Sequence, residues 1–146
     1  MLEKMTAMVL ENDICVLATA GGNRPYCSLM AYCADADGTK IYMTTPRNSK
    51  KYENLTTNPA VSLLIDTRGG KDRAKTRALT VTGTCREVSE PAEHDAAKRR
   101  LLSAHPHIAT FLNDPDAALL CVQVESFLLL DGVSDAHFLE IDSAVD

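Results

Sequence analysis

Six short apolar runs, each bounded by turn residues, constrain this 146-residue chain more than any other feature. They cover residues 14–20, 25–34, 40–45, 60–66, 78–88 and 118–130. Runs of this length, closed by Gly, Asn, Asp or Pro, predict strands. Gly21-Gly22-Asn23 joins the first two as a hairpin, and Asp35-Ala36-Asp37-Gly38 turns the chain into the third. The first three strands are therefore expected to form an antiparallel meander. In the fifth run Thr80, Thr82 and Thr84 alternate with Leu79, Val81 and Cys85, and Gly83 predicts a bulge or a close backbone approach. Strands do not alternate with helices around a glycine fingerprint, which disfavours a Rossmann fold. The expected class is mainly β with helices (α+β), closed as a small barrel.

Helices fill the gaps. Leu2, Met5, Met8 and Val9 recur at helical spacing within residues 2–12. A second, short helix is expected over 50–57, between a cap at Asn48 or Ser49 and the stop signal Asn58-Pro59. A third opens at Ser89-Glu90-Pro91, with Glu93 in its first turn, and Pro106 splits it near His105. Leu101, Leu102, Ile108, Phe111 and Leu112 supply its buried side. No linker or repeat interrupts the chain, so residues 1–146 read as a single domain.

Charge narrows the partner. The chain carries a net −5, but residues 47–77 hold eight bases against three acids, a net +5, leaving −10 for the remainder. A basic island in an acidic chain suits a small anion better than a long polyanion, and disfavours nucleic acid. With 45% hydrophobic and 24% charged residues, disorder and collagen are excluded. No stretch approaches the ~20 apolar residues of a membrane span, and Glu3, Glu11 and Asp13 interrupt any signal-peptide core. The expected location is cytoplasmic. The five cysteines (15, 27, 33, 85 and 121) include no C-x-x-C pair, which argues against a disulfide scaffold or zinc site.

The segment 41–51 concentrates the chemistry. It reads as a strand ending in Thr44 and Thr45, a turn, and a helix start carrying Ser49, Lys50 and Lys51, with Arg47 alongside. Free N–H groups at a helix N-terminus bind phosphate. Cations there oppose the helix dipole unless an anion is present. His105-Pro106-His107 has no acidic or cysteine partner nearby, so no metal is expected. No G-x-S-x-G elbow supports a hydrolase triad, and no residue declares itself catalytic. The loop 68–75 is basic, but 5% aromatics and no Trp leave little to stack on single-stranded nucleic acid.

Taken in order, these pieces resemble the FMN-binding split-barrel proteins related to pyridoxamine 5′-phosphate oxidase. The matching text is Leu17-Ala18-Thr19, Arg24-Pro25-Tyr26-Cys27-Ser28-Leu29-Met30, Ile41-Tyr42-Met43-Thr44, Ser49-Lys50-Lys51, Asn58-Pro59-Ala60-Val61-Ser62-Leu63-Leu64 and Leu79-Thr80-Val81-Thr82-Gly83-Thr84-Cys85. The resemblance covers most of residues 5–130 and implies a six-stranded split β-barrel of the FMN-binding type. It implies a homodimer with FMN at the subunit interface. Its phosphate grip falls on Lys50 and Lys51, with Ser49 beside them. Its flavin-lining strand falls on Ser28, Leu29 and Met30, with Met43, Thr44 and Thr45 at the end of the third strand and Arg77 as a further contact. A phosphate grip does not distinguish FMN from a deazaflavin.

One departure matters. Pyridoxamine-phosphate oxidases hold their substrate's phosphate with basic residues in the C-terminal part. This chain has no Lys or Arg after Arg100 and eight acids from Asp114 onward. The resemblance therefore implies an FMN-dependent oxidoreductase acting on another small substrate or electron donor. Two alternatives stay open: a non-enzymatic FMN carrier or redox sensor, with Cys27 and Cys33 as sensor thiols, and a barrel whose basic loop contacts RNA.

Overall fold

A computed structural model describes residues 1–142; Asp146, the last of the eight acids, lies outside the described residues. In chain order the elements are α1 (Leu2–Glu11), β1 (Ile14–Gly21), β2 (Arg24–Ala31), β3 (Cys33–Ala34), β4 (Lys40–Pro46), α2 (Lys50–Thr57), β5 (Ala60–Asp66), β6 (Arg77–Glu87), α3 (Pro91–Ala104), α4 (Ala109–Leu112), β7 (Ala117–Asp131) and β8 (Asp135–Glu140). One curled antiparallel sheet runs β2-β1-β5-β6-β7-β4-β3, with β8 pairing the second half of β7. This is the split-barrel architecture the resemblance implied, with four helices around it.

Two strands exceed the expected six, and the meander is corrected. Strand β4 pairs β7 over seven residues, from Lys40↔Gln123 to Pro46↔Ala117, and leaves β2 at the sheet edge. The cause is Tyr32, which is fully buried. Its N–H donates to Asp13 O (2.9 Å), its O–H donates to Val9 O (2.7 Å), and its carbonyl takes the His105 Nε2 contact (2.9 Å). With all three polar groups engaged outside the ladder, the run 25–34 breaks there. Its first part pairs β1, and Cys33–Ala34 pairs β4 instead. Strand β8 has no clear apolar run in the sequence, because Asp135, His137 and Glu140 surround the apolar pair Phe138 and Leu139.

The two expectations for Gly83 both hold. The β6–β7 register shifts between Thr82 and Gly83, and a Cβ at Gly83 would collide with the carbonyl of Gln123. Gly83→Ala is expected to destabilise the fold by about 1–3 kcal/mol through overpacking against backbone. Thermal unfolding checks this, and a Tm equal to wild type would mean that the β7 backbone yields freely.

The strand faces separate cleanly. Cys15, Leu17, Met30, Leu63, Ile65, Leu79, Val81, Phe127 and Leu129 face inward as one core, capped by Met5, Met8 and Val9 of α1. A smaller core joins α3, through Ala97 and Leu101, to Tyr42, Leu119 and Cys121. On the outer face the registers align Leu29, Val16, Leu64, Thr80, Leu128 and Phe138 in one row across six strands. Among the described residues no helix is long and apolar enough to cross a membrane.

Candidate functional site

Helix α2 starts where β4 ends, because Ser49 is an N-cap: its Oγ accepts from Tyr52 N–H (3.2 Å). The same Oγ lies 2.8 Å from Thr45 Oγ1, tying the cap to the strand. The backbone N–H groups of Lys50 and Lys51 have no hydrogen-bond partner among the described residues. Lys50 Nζ stands 5.4 Å from the centre of the Tyr26 ring and 3.7 Å from Glu53 Oε2, while Lys51 makes no ion pair among the described residues. Two free amides, two ammonium groups and a hydroxyl thus share one short helix start. That set is chemically suited to a phosphate.

The other residues named from the sequence sort by strand face. Ser28 is half-buried and shares the inner face of β2 with Tyr26 and with Met30, which is buried in the core. Leu29 points outward and is 75% exposed. Met43 is fully buried, so its side chain belongs to the core, whereas Thr44 donates through Oγ1 to Ala118 O (2.9 Å). Arg77 opens β6 opposite Asp131, ten residues from Glu87, the end of β6 nearest α2. At ~3.3 Å per residue that is roughly 30 Å along the strand, so Arg77 does not join Lys50 and Lys51 within one chain.

Arg47 serves structure. Its guanidinium donates to Pro115 O (2.7 Å) and pairs with Glu87 (2.5 Å), and Tyr52 O–H donates to the other Glu87 oxygen (2.6 Å). In the basic loop, Arg68 is likewise engaged with Asp66 (2.7 Å). Of the thiols named as sensors, Cys27 is exposed on β2, while burial pushes the Cys33 thiol up to about 12, partly offset by Arg100. A raised thiol pKa disfavours the reactive thiolate at Cys33. The features missed in sequence are Asn54, buried on α2, and the Tyr26 ring beneath Lys50. Their residue types are ordinary, and only the packing singles them out.

A second cluster beside the site titrates. Glu93 receives Arg86 (2.7 and 3.0 Å) and the Tyr42 hydroxyl (2.8 Å). Arg86 holds its carboxyl below the usual 4.5, against the opposing effect of burial. A folded pKa below the unfolded one stabilises above the unfolded value and is lost as pH falls through the folded one. Because Arg86 is 46% exposed, the pair is worth at most about 1 kcal/mol. Glu93→Gln should therefore lower stability near neutrality, with the deficit shrinking as pH falls below the usual carboxylate range, read by urea unfolding at neutral and at acid pH. An equal deficit at both would assign the loss to packing.

The curled antiparallel sheet and the helices around it define a protein of the split-barrel class. The chain matches the family model described as pyridoxamine 5′-phosphate oxidase over residues 1–131 and belongs to that family. No curated protein matches it. Among solved structures it is similar to a putative pyridoxamine 5′-phosphate oxidase from Listeria innocua, at 19% identity and a TM-score of 0.71, over 88% of this chain and 97% of that one. It is similar to an FAD-binding protein from Mesorhizobium loti, at 19% identity and 0.72, over 87% and 91%. It is also similar to a heme binding protein from Mycobacterium smegmatis, at 17% and 0.82, over 93% of this chain but only 57% of that one. At these identities the likeness concerns the fold.

Proposed function

We propose that the chain is an FMN-binding flavoprotein, an oxidoreductase acting on a small molecule as a homodimer with the flavin at the subunit interface. The observation that carries this reading is the start of α2, where Lys50 and Lys51 carry free amides and ammonium groups on the first turn. Lysines oppose a helix dipole at this end, so an anion resolves the conflict. Ser49, Lys50 and Lys51 would hold the phosphate. Of the residues named from the sequence, the half-buried Ser28 and Thr44 would border the ring system, and Arg77, remote within its own chain, would contribute across the interface, whereas the side chains of Met30, Met43 and Thr45 are buried and Leu29 faces outward. The bound flavin would supply hydride or electron transfer, and the protein orientation and charge.

The outer face supports the dimer. Leu29, Phe138, Ile14 and Leu130 are 75, 63, 53 and 45% exposed there, an apolar surface of the kind that marks an interface. All five cysteines are free, which fits a reducing, cytoplasmic location. The absence of basic residues after Arg100 argues for a substrate other than pyridoxamine phosphate. An FMN carrier would use the same site and differ only in turnover.

The visible spectrum of the purified protein tests the reading. Flavin absorption, or its appearance on adding FMN, is expected. A colourless protein that cannot be reconstituted would overturn it, and a deazaflavin would announce itself by a shifted band. Reduction of the bound flavin by NAD(P)H with turnover on an acceptor separates enzyme from carrier.

A further inference from the structure

Among the described residues four polar side chains are buried, and three of them lie on or against helix α2: Thr19, Thr45 and Asn54, with His105 the fourth. The helix has eight residues and fully buries only Asn54, with Tyr52 and Leu55 as its half-buried apolar contacts. So short a helix has little stability of its own. Apolar contacts tolerate sliding, whereas a buried hydrogen bond fixes both distance and direction.

Asn54 supplies that fixing. Its Nδ2 donates to Thr19 Oγ1 (3.1 Å), and its amide sits directly against Gly21, where a Cβ would overlap Oδ1 and Cγ. The contacts close a loop. Thr19 lies opposite Tyr26 in the β1–β2 ladder, Tyr26 lies beneath Lys50, and Lys50 stands one turn before Asn54 on the same helix face. The side chain that pins the helix is thus connected, through two strands, to the cation it positions.

We propose that Asn54, seated on Gly21 and bonded to Thr19, is a positioning residue that sets where α2 presents Lys50 and Lys51, and thereby sets affinity for a phosphate group. This rests on the phosphate-binding reading above. Gly21 is part of the device, since any side chain there would displace the Asn54 amide.

The test compares FMN with riboflavin, which lacks the phosphate, on wild type, Thr19→Val, Asn54→Leu and the double variant, with Tm measured for each. Each single variant should weaken FMN by about tenfold, the value of one misplaced charge-assisted contact, with riboflavin changed less than about twofold. The double variant removes both polar partners, so its Tm should recover while its FMN affinity does not. Thr19→Val preserves shape and carries the test if Asn54→Leu does not fold. FMN affinity that climbs back with Tm, or variants that keep the wild-type FMN-to-riboflavin ratio, would overturn the positioning role. A wild-type ratio near one would instead overturn the phosphate reading itself, and this role with it.

Discussion

Replacing Lys50 and Lys51 together by Ala is expected to weaken FMN binding by about a hundredfold or more while leaving the fold intact. Each lysine offers a charge-assisted hydrogen bond worth about 1.5–3 kcal/mol, and ~1.4 kcal/mol corresponds to tenfold in affinity. The amides of α2 remain, so binding should fall short of complete loss. The fold should hold because Lys50 is half exposed, with 51% of its side chain accessible, and its one ion pair is a surface contact to Glu53. Removing cations from a helix N-terminus slightly favours the helix itself. Fluorescence titration with FMN and riboflavin reads the effect, which should be confined to FMN. Equal affinity in wild type and double variant would remove the α2 terminus from the site.

Leu29→Asp is expected to convert a dimer into a monomer. Leu29 is 75% exposed on an edge strand, opposite Val16, so the change should alter the stability of the single chain by no more than about 0.5 kcal/mol. In the dimer the carboxylate would lie in the apolar row with Val16, Leu64, Leu128 and Phe138. Burying an unpaired charge there would weaken association by several kcal/mol, or two to three orders of magnitude. Sedimentation equilibrium measures it, and absorbance at flavin wavelengths in the same run follows the cofactor. A flavin at the interface should leave with the dimer. A wild-type protein that sediments as a flavin-loaded monomer would refute the interface, and a Leu29→Asp dimer would move it elsewhere.

Much of this arrangement could be read from the residues. Hydrophobic period, turn dipeptides and caps located α1, β1, β4, α2, β5, β6 and β7 to within a residue or two, because these signals are local and strong. Gly83 announced its bulge because a glycine inside a threonine-leucine alternation has few other uses. The lysines of α2 stood out for the same reason: they contradict the local electrostatics of a helix start.

Beyond the first hairpin, β1 with β2, pairing was not legible. Which strand β4 joins depends on Tyr32, whose partners lie in α1, at the start of β1 and at the end of α3. Nothing in the run 25–34 records those partners. Strand β8 exists because the exposed edge of β7 offers it a ladder, a property of the sheet rather than of the peptide.

By itself, then, the amino-acid order determined the class of fold and the extents of most elements, and it singled out the start of α2 by its charge. Those follow from periodicity and charge, which act over a few residues. The tertiary structure alone decided that Arg47 braces Glu87, that Arg77 stands at the far end of its strand, that Cys33 is half-buried against α3, and that Asn54 pins α2 to β1. Each depends on which distant groups are brought within hydrogen-bond reach, and that is settled only when the sheet curls closed.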